Sequence, residues 1–361
     1  MALSIGLLLV GFVAVTLGAE LLVRGARVLA LAFGLSPLVI GLTVVALGTS
    51  SPEIAVSVRS ALAGELGADL ALGNVIGSNL FNVLVVVGLS AVIAPVAVSR
   101  QLIRADVPLL IGVSLLVWGL ATDRVLGSWD GLLLVLGLVA YTGMTLVMGR
   151  RSTGASTNGT PSVEPPREAG QLVRHAGYVA GGLVLLVVGA NWLVAGAVDV
   201  ARALGVSELV IGLTIVAVGT SLPEVATSLV ATLKGERDLA VGNAIGSCLY
   251  NLLGVLGLAV IVSPSGLAVS AGALNFDLPV MIAVAIACLP IFFTGYQIAR
   301  WEGWVFLGYY AAYTLYLILQ ATEHHALAEV STALWGFVIP LTLVTIAVGV
   351  TRQIRRDRRA R

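Results

Sequence analysis

Ten residues of this chain, Gly41 to Ser50, return almost unchanged 171 positions later as Gly212 to Ser221. Internal repetition constrains architecture strongly, because both copies must fold by the same local rules. The match runs well past those ten residues. GTSSPE at Gly48 to Glu53 pairs with GTSLPE at Gly219 to Glu224, and GNVIGSNLFN at Gly73 to Asn82 pairs with GNAIGSCLYN at Gly242 to Asn251. Asp106 and Pro108 find Asp277 and Pro279, while Asp130-Gly131 finds Glu302-Gly303. Polar residues that match in register inside apolar surroundings mark a true duplication.

The repeated unit is built for a bilayer. Hydrophobic residues make up 58% of the 361 residues and charged ones 11%, a balance outside the range of soluble globular chains. Each copy holds five apolar runs, each expected to cross a hydrocarbon core of about 30 Å. They are 3–32, 37–63, 70–94, 104–121 and 128–148 in the first copy, and 173–204, 208–233, 239–262, 275–294 and 300–320 in the second. An eleventh run, 330–351, has no counterpart. The N-terminal run lacks a basic leading segment and is itself duplicated, so it reads as a retained helix and not as a signal peptide. Cys248 and Cys288 lie inside apolar runs, where a thiol behaves as a small hydrophobe. The net charge of +1 gives no reason to expect a nucleic-acid partner.

Five is odd, so the second copy must enter the membrane in the opposite sense to the first, as in many secondary transporters. The expected fold is an all-α membrane protein of two inverted five-helix repeats, ten core transmembrane helices, plus one extra C-terminal helix. Its parts are the first repeat (1–148), a flexible cytoplasmic linker rich in Ser, Thr, Gly and Pro (149–172), the second repeat (173–320), and the extra helix with a basic tail (321–361). With the N-terminus outside, only Arg59, Arg124 and Arg202 of the 20 Lys and Arg residues fall on the outer face. That asymmetry places the linker and the C-terminus in the cytoplasm, and the chain in a cell (inner) membrane. The tail from Arg352 to Arg361 serves as a topology anchor in this reading.

Glu53 and Glu224 sit near the middle of the second and seventh runs, where an ionised side chain costs several kcal/mol unless compensated. No Lys, Arg or His lies at comparable depth in the runs expected to surround them, so a bound cation is the natural partner. Gly48 and Pro52, like Gly219 and Pro223, interrupt the helix just before each acid. Such a break frees backbone carbonyls, at Ala46 and Ala217 in this reading, which are tolerated at bilayer depth only around a cavity or an ion. Thr49, Ser50, Thr220 and Ser221 add hydroxyl oxygens on the same broken turns. Ser78 and Asn82, four residues apart, share one helix face, as do Ser247 and Asn251. Gly73 and Gly77, with Gly242 and Gly246, form small-xxx-small surfaces for close helix approach. The convergent donors are all oxygen, which suits Ca²⁺ or Na⁺ and argues against zinc or copper. His175, His324 and His325 fall in loops or at the ends of runs.

These paired GTSxPE and GNxxGSxxxN segments resemble the two α-repeats of the cation/calcium exchanger superfamily, most closely its prokaryotic sodium/calcium antiporters. The resemblance covers about residues 1–320 and implies ten core helices around a diamond-shaped cluster of ion sites. It implies that Glu53 and Glu224 are shared Ca²⁺ and Na⁺ ligands and that Thr49 and Thr220 supply backbone carbonyls. Ser50, Ser78, Ser221 and Ser247, with the Ala46 and Ala217 carbonyls, would complete outlying Na⁺ sites. Asn82 fits the family; at Asn251 many relatives carry aspartate, and Cys248 stands where Asn is usual. A long cytosolic calcium-sensing domain is missing.

The expected activity is antiport and not enzymatic catalysis. Ca²⁺ and Na⁺ are the expected substrates and the lipid bilayer the surroundings; no cofactor and no obligate protein partner are expected. Two ionised glutamates give a charge of −2, matched by one Ca²⁺ or by sodium ions binding together, so that only a loaded carrier reorients. The same site could exchange Ca²⁺ for protons, which is the nearest rival. A passive channel and a non-transporting scaffold are the readings from other classes.

Overall fold

In the computed structural model the described residues are 2–153, 169–204, 217–322, 324, 326–333, 336 and 339–360. Most of the expected linker, residues 205–216 (which include the first part of the seventh apolar run) and His325 lie outside them.

The chain is helical nearly throughout: α1 Ala2–Ala32, α2 Pro37–Thr49, α3 Ser51–Leu62, α4 Gly67–Ile93, α5 Leu102–Asp123, α6 Ser128–Thr153, α7 Ala169–Ala203, α8 Leu222–Leu233, α9 Arg237–Val262, α10 Ala273–Tyr296, α11 Arg300–Ala321, α12 Leu327–Ala333 and α13 Ile339–Ala360. Among the described residues seven helices are long and apolar enough to cross a membrane, or eight if the bent α2–α3 pair counts as one span. In the expected eleventh run the long helix, α13, extends nine residues past 351. Pro340 lies in its first turn, where a missing N–H disturbs no helical bond.

The second run breaks where the sequence says it should. Pro52 cannot continue the hydrogen-bond ladder of α2 but is suited to the first turn of a new helix. The chain turns at Ser50 (φ −78°, ψ 7°) and α3 leaves at 45° to α2. Ser221 (φ −91°, ψ 9°) and Pro223 start α8 in the same way.

At the centre stand α4 and α9, whose apolar windows are 78% and 83% buried, against 22–39% for the other long spans. Each widens into a π-helical turn, Asn82–Val87 and Asn251–Val255, a distortion found often at functional sites. Gly242 and Gly246 let α9 press on α2: a Cβ on Gly242 would lie 2.8 Å from the Leu38 carbonyl oxygen, and one on Gly246 2.8 Å from the Leu42 Cα. The segment corresponding to the first half of α2 in the second copy falls within 205–216, outside the described residues.

The antiparallel pair α1 and α7 packs on one side of this core, sharing a buried apolar cluster with α2, α8 and α9. Glycines every seven residues, at 11, 18 and 25 on α1 and 182, 189 and 196 on α7, face the partner backbone. A Cβ on Gly18 would lie 2.8 Å from the Gly182 carbonyl oxygen, and one on Gly182 2.7 Å from that of Gly18. At one end this pair is tied to the core by ions: Arg27 Nε to Glu236 Oε1 at 3.0 Å, and Lys234 to Glu20.

Two tiny antiparallel sheets close the ends. Strand β1 (Val96–Ala97) precedes α5, β2 (Val125–Leu126) follows it, and β3 (Leu267–Ala268) and β4 (Gln297–Ile298) flank α10 in the same way. β1 pairs with β4, and β2 with β3. The loop that enters the fourth helix of one copy therefore meets the loop that leaves the fourth helix of the other. Large apolar side chains such as Leu9, Phe12, Val139 and Val184 face outward, as expected where lipid replaces water.

Candidate functional site

Glu53 and Glu224 lie in the first turns of α3 and α8, where the positive end of the helix dipole favours a carboxylate. Both are fully buried. Glu53 Oε1 is 3.0 Å from Ser221 Oγ and accepts from Ser78 Oγ at 3.5 Å, while Ser221 Oγ and Ser78 Oγ lie 3.2 Å apart. Glu224 Oε1 accepts from Ser50 Oγ and Ser247 Oγ, each at 3.4 Å. Each acid thus meets one serine from its own sequence copy and one from the other. Ser221 and Ser50 each lie three residues before an acid, so each acid is hydrogen-bonded to the broken turn that carries the other.

The remaining atoms of the cluster are more telling. Glu53 Oε2, Glu224 Oε2, and both amide atoms of Asn82 and of Asn251 are buried without any hydrogen-bond partner. A buried polar atom left unpaired costs roughly 1–3 kcal/mol, and these six belong to four residues at equivalent positions of the two copies. Cation binding through the oxygens is the chemistry this arrangement suits, because the carboxylates and amide carbonyls are hard donors. Among the described residues no group of three or more His, Cys, Asp and Glu forms a metal cluster; the donors come instead from acid, amide and hydroxyl.

Hydrogen bonds bring Ser50, Glu53, Ser78, Ser221, Glu224, Ser247 and Thr49 together in the buried interior, and Asn82 and Asn251 are buried on the π-helical turns that pack against α8 and α3. Thr220 is half-buried, and its hydroxyl donates to Asn74 Oδ1 at 3.4 Å. Ala217 opens the short turn Ala217–Gly219, and its side chain is not described. At Ala46 the geometry differs from expectation: its carbonyl accepts the Ser50 N–H at 3.0 Å. The bend falls after that bond, so Pro52 instead deprives the Gly48 carbonyl four residues back, which takes the Ser51 hydroxyl at 2.8 Å.

Sequence reasoning singled out neither Asn74 nor Asn243, yet both reach into the cluster. Thr49 Oγ1 donates to Asn243 Oδ1 at 3.2 Å, mirroring Thr220 and Asn74. The signal was present, since the GN step begins both matched segments, Gly73-Asn74 and Gly242-Asn243. Other matched acids do structural work. Asp130 Oδ2 accepts the Gly127 N–H and Glu302 Oε2 the Ala299 N–H, both at 2.7 Å, capping α6 and α11.

A buried all-oxygen cluster on broken helices inside a polytopic helical fold defines a membrane transporter for cations. The model of the family described as sodium/calcium exchanger protein matches the chain twice, at residues 3–147 and 174–319, and the chain belongs to that family. It is similar to CaxA of Alkalimonas amylolytica (41% identical, covering 78% of this chain and 87% of that one). It is also similar to the sodium/calcium exchanger MaX1 of Methanosarcina acetivorans (31% identical, 86% and 97%). Among solved structures, the sodium-calcium exchanger NCX_Mj soaked with Na⁺ and Sr²⁺ superposes with a TM-score of 0.74 at 30% identity, covering 89% of this chain and 98% of that one. Cation and calcium transport by a multi-pass membrane protein, not enzymatic catalysis, is the activity this membership carries.

Proposed function

We propose that the protein is a secondary antiporter that exchanges Na⁺ for Ca²⁺ through a midplane site built on Glu53 and Glu224. The observation that carries this reading is the set of six unpartnered buried polar atoms on Glu53, Glu224, Asn82 and Asn251. Thr49, Thr220, Ser50, Ser221, Ser78, Ser247 and the Ala46 and Ala217 carbonyls complete the donor set; a cation at the Ala46 oxygen would take the place of the Thr49 hydroxyl, 3.4 Å away. The two inverted five-helix repeats belong to the same reading. Support for the inversion comes from the strands: β1 pairs with β4 and not with its sequence equivalent β3, as two oppositely inserted copies require. The N-terminus is then outside and the basic C-terminal helix ends in the cytoplasm.

One Ca²⁺ neutralises two ionised glutamates, and so do sodium ions bound together. An unloaded site would carry its charge through low dielectric at a cost of several kcal/mol, so reorientation follows loading, which gives exchange and not leak. Three sodium ions would leave the site at +1 and make the cycle electrogenic. The glycine-packed α1–α7 pair, sliding over the core, is the moving part.

The test is ⁴⁵Ca²⁺ flux into proteoliposomes under sodium, potassium and proton gradients imposed in turn. Uptake driven by the sodium gradient alone is expected. Uptake driven by a pH gradient in the absence of sodium would replace this reading with Ca²⁺/H⁺ exchange at the same site.

A further inference from the structure

Asn74 on α4 and Asn243 on α9 each use both ends of the amide, and the two ends go to different copies of the repeat. Asn243 Nδ2 donates to Ser228 Oγ at 3.1 Å and to the Glu224 carbonyl oxygen at 3.5 Å, while Oδ1 accepts from Thr49. Asn74 Nδ2 donates to Ser57 Oγ at 2.9 Å and to the Glu53 carbonyl oxygen at 3.3 Å, while Oδ1 accepts from Thr220. The serines carry the chain one link further. Ser228 Oγ donates to the Ala240 carbonyl at 3.2 Å and Ser57 Oγ to the Ala71 carbonyl at 3.4 Å.

The direction of the amide and serine protons in these chains is fixed by chemistry. A backbone carbonyl only accepts, so each serine must donate to it and accept from the amide. The glutamate carbonyl also only accepts, so the amide cannot be flipped: its NH₂ faces α3 or α8 and its oxygen faces the threonine. The threonine hydroxyl is then obliged to donate. Thr49 Oγ1 has two other neighbours, the Ala46 carbonyl oxygen and Ser247 Oγ, each at 3.4 Å, and Asn243 Oδ1 at 3.2 Å is the nearest acceptor.

We infer that Asn74 with Ser57, and Asn243 with Ser228, are positioning residues that set the polarity of the Thr220 and Thr49 hydroxyls. Each threonine proton turns away from the cluster, and the oxygen lone pairs are left for a cation. A freely rotating hydroxyl would present its proton to the ion in part of its orientations. Groups that orient metal-binding donors typically influence affinity by roughly 10- to 100-fold. The clamp also joins the central helix of one copy to the broken turn of the other, so each threonine is oriented from across the molecule.

This inference rests on the cation-site reading above, and the experiment separates the two. Cation-induced thermal stabilisation and ⁴⁵Ca²⁺ exchange are measured for wild type and for Ser228→Ala, Ser228→Thr, Asn243→Ala and the matching Ser57 and Asn74 variants. The expected result is an increase in KM for the driving cation and for Ca²⁺ of about tenfold in the alanine variants, with the maximal rate changed less than about twofold. A rise in KM without a fall in maximal rate is the mark of lost binding. Ser228→Thr, which keeps the relaying hydroxyl, is expected to restore KM. Should Asn243→Ala fail to fold, the Ser228 pair decides alone. KM values unchanged in Ser228→Ala, or a loss that threonine does not rescue, would overturn the inference while wild-type exchange stands. A wild type that neither transports nor is stabilised by any cation would instead overturn the site reading beneath it.

Discussion

Cys248 Sγ lies 3.7 Å from the carbonyl oxygen of Asn79, and the two residues hold the same place in the two copies of the repeat, GSN and GSC. The contact joins equivalent positions of the two sequence copies inside the helical core. Both sides are sealed: Asn79 is 2% exposed and Cys248 fully buried.

Cys248 and Cys288 are both free and buried. Membrane-impermeant thiol reagents are therefore expected to leave flux unchanged, and Cys248→Ser is expected to retain it. Labelling of the native, detergent-solubilised protein, followed by mass spectrometry, should find both thiols unmodified until denaturant is added.

The glutamates should be individually required. Glu53→Gln or Glu224→Gln removes one of two charges facing the cation while preserving volume. Hydrogen bonds and contacts to charged groups are worth roughly 1.5–3 kcal/mol, so each variant is expected to lose at least about tenfold in apparent Ca²⁺ affinity. The double variant should have no measurable ⁴⁵Ca²⁺ exchange. Retained flux in the double variant would point to a different site.

Close packing of α1 on α7 can be tested by size. Gly18→Val places a branched side chain where even a Cβ meets backbone at 2.8 Å, whereas Gly6 on the same helix has open space around it. Overpacking typically costs about 1–3 kcal/mol. A lowered melting temperature for Gly18→Val and an unchanged one for Gly6→Val is the expected pair of results in a detergent thermal-shift measurement.

The ion pairs Glu20–Lys234 and Arg27–Glu236 join the α1–α7 body to the loop between α8 and α9. Partly exposed pairs contribute roughly 0.2–1 kcal/mol, which corresponds to about a 1.4- to fivefold change in the balance between two states. Glu20→Lys and Lys234→Glu are each expected to alter turnover by that amount at low salt, and the swapped double variant to restore it. High ionic strength should flatten the difference. Failure of the swap to restore turnover would show that the contact does not tie the moving pair to the core.

Much of this was legible before any coordinates. The break at Ser50 follows from Gly48 and Pro52 and the one at Ser221 from Gly219 and Pro223, because proline acts through local covalent geometry. The acids, serines and asparagines of the cluster stand out as polar residues in apolar runs. Other features depend on the assembled molecule. The π-helical turns at Asn82 and Asn251 carry no local signal, since only packing decides where a helix widens. β1 and β4 are two residues each, far too short for an alternating pattern. Asn74 and Asn243 were overlooked for a different reason: their importance lies in what each end of the amide touches, and sequence spacing cannot show that Thr49 sits beside residue 243. Ala46 keeps its backbone bond because the one that Pro52 removes belongs to Gly48.

The crossed wiring of the acids has a consequence for origins. Glu53 depends on a serine contributed by the second copy, and Glu224 on one contributed by the first. A polypeptide carrying a single unit would lack one serine partner of its acid, and only a second unit could supply it. Separate expression of residues 1–160 and 161–361 should therefore yield inert fragments that regain function when produced together.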